Sequence, residues 1–317
     1  MMKRRDFLSA FALFSAAAAL PYKAFAELRS SGNDQPPSDG TYWPNGARLA
    51  ISVSMQFEAG SQAATGASSP FPPLDPKYPD YPATKWFEYG FKEGIPRLLD
   101  VWDRKKIKVT AHMVGKAVDL HPELAKEIVD RGHEASAHGQ TWSPEYTLTP
   151  QEEKASYKAN IASIYKATGT KPVGFNAFFM RGSPHTLSIL QELGMIYHTD
   201  DISRDEPFII DVNGKPFGVV PYAIHTNDIL NYELRYQSTL DFAQDLKNEF
   251  DQLYSESGNR RRMMALSAHD RVSGRPGRAK VIEDFITYAQ QHKGVWFARK
   301  DEIMRYALGS PLTPRES

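Results

Sequence analysis

The sequence predicts an α/β fold built on parallel strands, either a barrel or a doubly wound sheet. Three observations carry this. Strand-like and helix-like stretches alternate over most of the chain, the signature of repeated strand–helix units. The first strong strand, "RLAISVSMQFE", sets Leu49, Ile51, Val53, Met55 and Phe57 against Ala50, Ser52, Ser54, Gln56 and Glu58. That two-residue period gives one apolar face and one small, polar face, and in a barrel the small, polar face points to the centre. Finally, Glu58, His138, Asp200 and His269 all fall at strand ends, where parallel α/β folds keep their active sites.

Taken in order, the first strand is followed by "GSQAATGASSPFPPLDPKYPDYPAT", too rich in Pro and Gly for regular structure. A loop of that length in a compact domain suggests a functional lid. An amphipathic helix over roughly Phe87 to Lys105, a strand "IKVTAHMV", a helix from Pro122 and a strand running into His138 come next. Thr149 to Glu152, "TPQE", reads as a capping box with Pro at the first helical position. The helix it opens runs to about Ala167, and a strand "KPVGF", a helix from Ser183 and a strand "MIYHTD" continue the rhythm. Asn213-Gly214 between two β-rich runs predicts a hairpin. Ser238 and Asp241 cap a helix that buries Phe242, Leu246, Phe250 and Leu253. A strand "MMALSAH", a helix presenting Ile282, Phe285, Ile286 and Ala289, and a strand "VWFAR" complete the series.

The chain has 317 residues, with 38 basic and 38 acidic side chains and no cysteine. Balanced charge with no basic stretch argues against a nucleic-acid partner. Without cysteine there is no disulfide, thiolate metal site or cysteine nucleophile. Residues 1–26 have a basic start, an apolar stretch from Phe7 to Leu20 and Ala24-Phe25-Ala26 as a cleavage site. Arg4-Arg5 before Asp6-Phe7-Leu8 resembles a twin-arginine export signal. The expectation is a periplasmic protein with no stable membrane anchor once the signal is removed. Residues 27–41 are polar and rich in Pro and Gly, a disordered lead-in. The catalytic domain is expected over residues 42–310, where no linker or internal repeat divides the chain.

His138 closes a strand and precedes Gly139, and His269 repeats the pattern at the end of "ALSAH". A lone histidine is most often a packing residue. Two histidines and Glu58 at equivalent topological positions are hard to assign to packing alone. His133 and His121 read as structural, and His225 in "IHTND" is ambiguous.

The order of the segments "SMQFEAG", "GHEASAHGQTW", "FMRGSPHT", "YHTDD" and "ALSAHDR" resembles the polysaccharide deacetylase superfamily from about Tyr42 to Ala307. The resemblance implies a single-domain distorted (β/α) barrel. In metal-dependent members, the first segment supplies a base and a ligand aspartate, the second two histidine ligands, and the last a catalytic histidine. Matched residue by residue, this chain has Gln56 at the base position, Glu58 at the carboxylate ligand, His138 and Trp142 at the histidine ligands, and His269 at the catalytic histidine. Trp142, "WPNGARLA", "RGSPHT", "HTND" and "GRPGR" also resemble the allantoinase-like and cyclic imide hydrolase-like branch. Ala59, His198-Thr199-Asp200 and Asp270 depart from that branch around the expected pocket.

The resemblance implies a hydrolase of non-peptide C–N bonds, acting on a small cyclic amide, imide or ureide. An N-deacetylase of a periplasmic glycan or peptidoglycan is the alternative, which the export signal favours. A non-catalytic carbohydrate-binding relic is the third reading, disfavoured because Glu58, His138 and His269 are all kept. A catalytic metal normally has three protein ligands, so no cofactor is expected, although a weak divalent ion such as zinc could be held by Glu58 and His138. Glu58 is expected as general base or water-orienting group, His269 as general acid to the leaving nitrogen, and His138 as the group that orients water or polarises the carbonyl. Arg181 would bind substrate oxygens and Trp142 would wall the pocket. Gln56, Asp200, His225 and Arg271 complete the expected substrate-binding set. Self-association is allowed by the sequence but not indicated by it.

Overall fold

Strand β1 (Leu49–Phe57) is buried on both faces, for two different reasons. Leu49, Ile51, Val53, Met55 and Phe57 join the main apolar core, while Ser52 and Gln56 turn inward and meet polar partners. A computed structural model describes residues 42–316, apart from residues 59, 64–66 and 68. The expected signal at 1–26 and lead-in at 27–41 lie outside the described residues.

After the long loop come α1 (Tyr81–Tyr89), a π-helical turn (Gly90–Gly94), α2 (Ile95–Lys105), β2 (Thr110–Met113), α3 (Gly115–Leu120), α4 (Pro122–Asp130) and β3 (Glu134–Ala137). Helix α5 (Pro150–Thr168) starts at the expected capping box, with the Thr149 side chain accepting from the Glu152 backbone N–H. It leads to β4 (Gly174–Phe175), α6 (Thr186–Glu192) and β5 (Tyr197–His198). The hairpin β6 (Phe208–Val212) and β7 (Lys215–Val219) turns at Asn213 and Gly214, both with positive φ, as a two-residue hairpin turn requires. Helix α7 (Thr239–Glu256), β8 (Arg262–His269), α8 (Pro276–Gln290), β9 (Val295–Phe297), α9 (Lys300–Gly309) and β10 (Arg315–Glu316) follow.

The sheet order is β10-β6-β7-β5-β4-β3-β2-β1-β8, with β9 also paired to β1. All pairings are parallel except the β6–β7 hairpin. The open edge at β8 is closed by the segment after β7. Tyr222 N–H donates to Thr199 O at 3.0 Å, and Ser267 N–H to Thr226 O at 3.1 Å. The result is a distorted barrel, as expected. Helices α2, α4, α5, α7 and α8 cover its outside through Leu99, Trp102, Ile128, Ile164, Phe250 and Ile282.

Four elements depart from the sequence reading. The helix expected from Phe87 begins at Tyr81, with Asp80 as its N-cap. Helices α3 and α9 were not anticipated. The fold also runs past residue 310, because β10 pairs with β6 through Arg315 and Ile209. Among the described residues no helix is long and apolar enough to cross a membrane.

Candidate active site

Strand register brings the chemistry together. Gln56 on β1 pairs with His269 on β8 and with His112 on β2, so one layer of side chains at the strand C-termini comes from three strands. Glu58 and His138 lie just past the ends of β1 and β3. Glu58 Oε1 is 3.4 Å from His138 Nε2 and 3.8 Å from His269 Nε2, and all three residues are buried.

Hydrogen bonds assign the protons. His138 Nδ1 faces the Asn176 carbonyl at 2.6 Å. A carbonyl only accepts, so Nδ1 carries hydrogen. Its Nε2 faces a carboxylate, which also only accepts, so the doubly protonated ring is favoured. Burial works against the charge, but the Glu58 hydrogen bond and charge outweigh it and raise the His138 pKa. His269 Nδ1 meets Asp228 Oδ1 at 2.6 Å, while Asp228 Oδ2 accepts from the backbone N–H of His269 at 2.7 Å and of Ser273 at 3.1 Å. Asp228 thereby fixes the ring so that Nε2 faces the site.

The other side of Glu58 is held by Arg271, whose Nη1 donates to Oε2 at 2.7 Å. The guanidinium is 2% exposed and lies 5.0 Å from the Trp86 ring and 5.6 Å from Phe87, an arrangement suited to a weakly hydrated planar cation. Burial alone would raise the Glu58 pKa. Arg271, the His138 hydrogen bond and the histidine charges reverse that and hold it well below the usual carboxylate range. A carboxylate so stabilised is a weak proton acceptor, which counts against the general-base role expected for Glu58.

Gln56 Nε2 donates to the Tyr222 hydroxyl at 2.7 Å, and its buried Oε1 has no partner among the described residues. Trp142 stands 5.9 Å from the His138 ring and stacks on Phe179 at 5.4 Å. Phe179 and Met180 have φ of 50° and 58°, a conformation unfavourable for side-chain-bearing residues that turns both into the wall of the site.

Three expected substrate contacts are elsewhere. Arg181 follows that strained turn and is exposed, outside the cavity that Phe179 and Met180 line. Asp200 accepts from Asn176 Nδ2 at 2.8 Å and from Ala177 N–H at 3.0 Å, so it shapes the loop that carries the Asn176 carbonyl. His225 is exposed and lines shallow hollows with Thr226 and Glu249, because the chain turns inward only at Thr226.

The donor set does not fit a catalytic divalent ion. One oxygen of Glu58 is engaged by a guanidinium and the other faces the His138 imidazole, while a tryptophan occupies the second histidine position. Among the described residues no group of three His, Asp or Glu side chains converges on a metal-sized space. Glu58 and His138, the pair expected to hold at most a weak ion, already face cationic or hydrogen-bonding partners.

Asp228, Asn176, Tyr222 and His112 were missed. Asp228 lies in "HTND", where the histidine draws attention and the aspartate does the positioning. His112, buried with neither ring nitrogen partnered among the described residues, is held neutral by burial; its alternation in β2 was the available signal.

Comparison with known proteins agrees with this geometry. The polysaccharide deacetylase profile matches residues 79–198. A crystal structure of a probable polysaccharide deacetylase from Pseudomonas aeruginosa PAO1 is 30% identical, covering 86% of this chain and 94% of that one, with a TM-score of 0.78. The chain belongs to the polysaccharide deacetylase family. The crystal structure of Puue allantoinase is 29% identical, with a TM-score of 0.80, covering 88% of this chain and 95% of that one. The peptidoglycan deacetylase of Helicobacter pylori is 24% identical over 66% of this chain and 82% of its own length. Within this family the substrate is a small molecule or glycan. The family's hydrolases cleave non-peptide C–N bonds.

Proposed function

We propose that this family member is a metal-independent hydrolase that opens the ring of a cyclic imide or ureide. The observation that carries the reading is the 2.7 Å contact between Arg271 Nη1 and Glu58 Oε2, which puts a fixed protein cation on the carboxylate that would otherwise be a metal ligand. Likeness to an allantoinase over most of both chains supports it. An N-acetyl amide normally needs a Lewis acid to polarise its carbonyl. Imide and ureide carbonyls are more electrophilic and have better leaving groups, so acid–base groups and an oxyanion donor suffice.

In this reading, water sits between Glu58 Oε1 and His269 Nε2. His269 takes its proton as oxygen bonds to the ring carbonyl carbon, and Asp228 stabilises the imidazolium that forms. As negative charge builds on the carbonyl oxygen, the His138 Nε2–H, 3.4 Å from Glu58 Oε1 before substrate enters, turns to the oxyanion. As the C–N bond breaks, His269 returns the proton to the departing nitrogen, leaving a free amide or ureido group and a carboxylic acid that ionises to solvent on the opened chain. Glu58 orients the water and balances the charges of Arg271 and His138, and is not the base.

The test uses purified full-length protein dialysed against a strong chelator. Succinimide, hydantoin and allantoin are assayed for ring opening, and N-acetylated chitooligosaccharides for acetate release. Ring opening unaffected by chelation is expected. Acetate release that chelation abolishes and zinc restores would overturn the reading in favour of a metal-dependent glycan deacetylase.

A further inference from the structure

The space adjoining the catalytic layer describes more of the substrate than the reaction does. The floor of the site, with Glu58, His138 and His269 in its lining, is narrow, about 60 Å³. It shares Trp142, Phe179, Ile229 and Leu230 with an adjoining larger cavity of about 540 Å³. That volume lies in the range of pockets that enclose a small organic ligand. A bare five-membered ring occupies only a fraction of it.

The walls are apolar and aromatic. Trp86, Trp142, Phe178, Phe179, Leu230 and Leu234 face the cavity. Its charged members are already paired: Arg271 with Glu58, and Glu233 with Arg278 at 2.6 Å. The remaining polar side chains are Gln62, whose buried amide has no partner among the described residues, Ser69, Ser143 and Tyr236, and the aromatic and aliphatic side chains outnumber them. Phe179 is 48% and Leu234 59% exposed, although Phe179 is held at an unfavourable positive φ that keeps its ring at the junction of the two spaces. Strain that maintains an exposed aromatic ring beside reactive groups fits a ligand clamp, and large apolar surface in a concave site marks a binding surface.

We infer that the natural substrate is a cyclic imide or ureide bearing an apolar arm, of benzyl or isobutyl size, with the ring on the Glu58 floor and the arm in the cavity beyond Trp142. This rests on the ring-hydrolase reading above. The loop after β1 contributes Gln62, Ala63 and Pro70 to the same wall, and none of these three lines the floor.

The test is a matched series of hydantoins carrying hydrogen, isobutyl, benzyl or a ureido group at carbon 5, assayed with the full-length protein. The benzyl compound should exceed both bare hydantoin and the ureido compound in kcat/KM by at least about tenfold, the usual scale for filling a hydrophobic pocket. Phe178→Ser and Leu234→Asp should each shrink the benzyl-to-hydrogen ratio. Equal or faster opening of the bare or ureido ring overturns the inference and leaves the ring-hydrolase reading standing. If no ring opens, that reading fails, and a titration of Trp86 and Trp142 fluorescence then decides the cavity. Tighter binding of the benzyl compound than of hydantoin would then sustain only the cavity as a site for an apolar arm, with the ring substrate withdrawn, and no such difference overturns that as well.

Discussion

At the scale of single residues, Asp228 governs what His269 can do. All its acceptor capacity toward β8 is used: one oxygen on His269 Nδ1 and the other on two backbone N–H groups. An amide in its place cannot accept on both sides, so Asp228→Asn must either lose a backbone hydrogen bond or force the imidazole into the wrong tautomer. In the ring-hydrolase reading, kcat should fall on the order of 10³ to 10⁴-fold with KM little altered. Steady-state kinetics on the best ring substrate checks this, and a variant within a few-fold of wild type would remove His269 from its acid–base role. The sequence made Glu58, His138 and His269 legible because strand-end position and residue type coincide. It hid Asp228 because a loop between a hairpin and a helix carries no period. His225, the conspicuous residue of the same stretch, is exposed. Arg271 was legible as a pocket residue, but not as the cation on Glu58. That contact joins residues 213 positions apart, and no local rule reports it.

At the scale of elements, the locally determined features were readable and the tertiary ones were not. Capping boxes before α5 and α7 depend on side chains three residues apart, and the hairpin turn on two adjacent residues. Helix α3 is six residues long and β10 two, too short for periodicity to register, and both exist through their packing. The π-helical turn between α1 and α2 is the telling case. It brings Gly94 against the loop after β8, where a Cβ on Gly94 would lie 1.9 Å from the Asp270 carbonyl oxygen, and Gly274 is equally confined by the same atom and by Gly94 itself. This contact seats the loop that carries Asp270 and Arg271. Gly94→Ala should therefore destabilise the fold by about 1–3 kcal/mol and cut activity further than the unfolded fraction explains. Gly277→Ala, which meets nothing within 4 Å, is the matched control. Urea melts and kcat/KM of the folded variants make the comparison, and a fully active Gly94→Ala protein would show that the turn does not position Arg271.

At the scale of the whole molecule, the barrel has a working end and a sealed end, and the seal is ionisable. The N-terminus of α9 plugs the bottom of the barrel. Lys300 is fully buried and donates to the Ser52 hydroxyl at 2.9 Å. Glu134, at the start of β3, accepts from the Thr110 hydroxyl at 2.7 Å, the Tyr197 hydroxyl at 2.8 Å and the Asp301 N–H at 3.0 Å. Burial pushes Lys300 down to about 7, against the pull of Glu134. Burial, with the Asp301 charge, pushes Glu134 up to about 7. Between the ordinary pKa of lysine and pH 7, the unfolded chain binds a proton at residue 300 that the folded barrel releases. Stability from this group therefore rises with pH across roughly pH 7 to 10, at a slope that can reach ~1.4 kcal/mol per pH unit. Glu134 acts in the opposite sense and in a lower window, where the folded state holds the extra proton and stability falls as pH rises from about 4.5 to 7. Lys300→Met removes the upper window alone. Its stability relative to wild type should be most favourable near pH 7 and shrink steadily toward pH 10, as read from urea melts at intervals of one pH unit. A constant difference across that range would mean that Lys300 keeps its proton on folding, and that the seal is an ion pair and not a neutral plug.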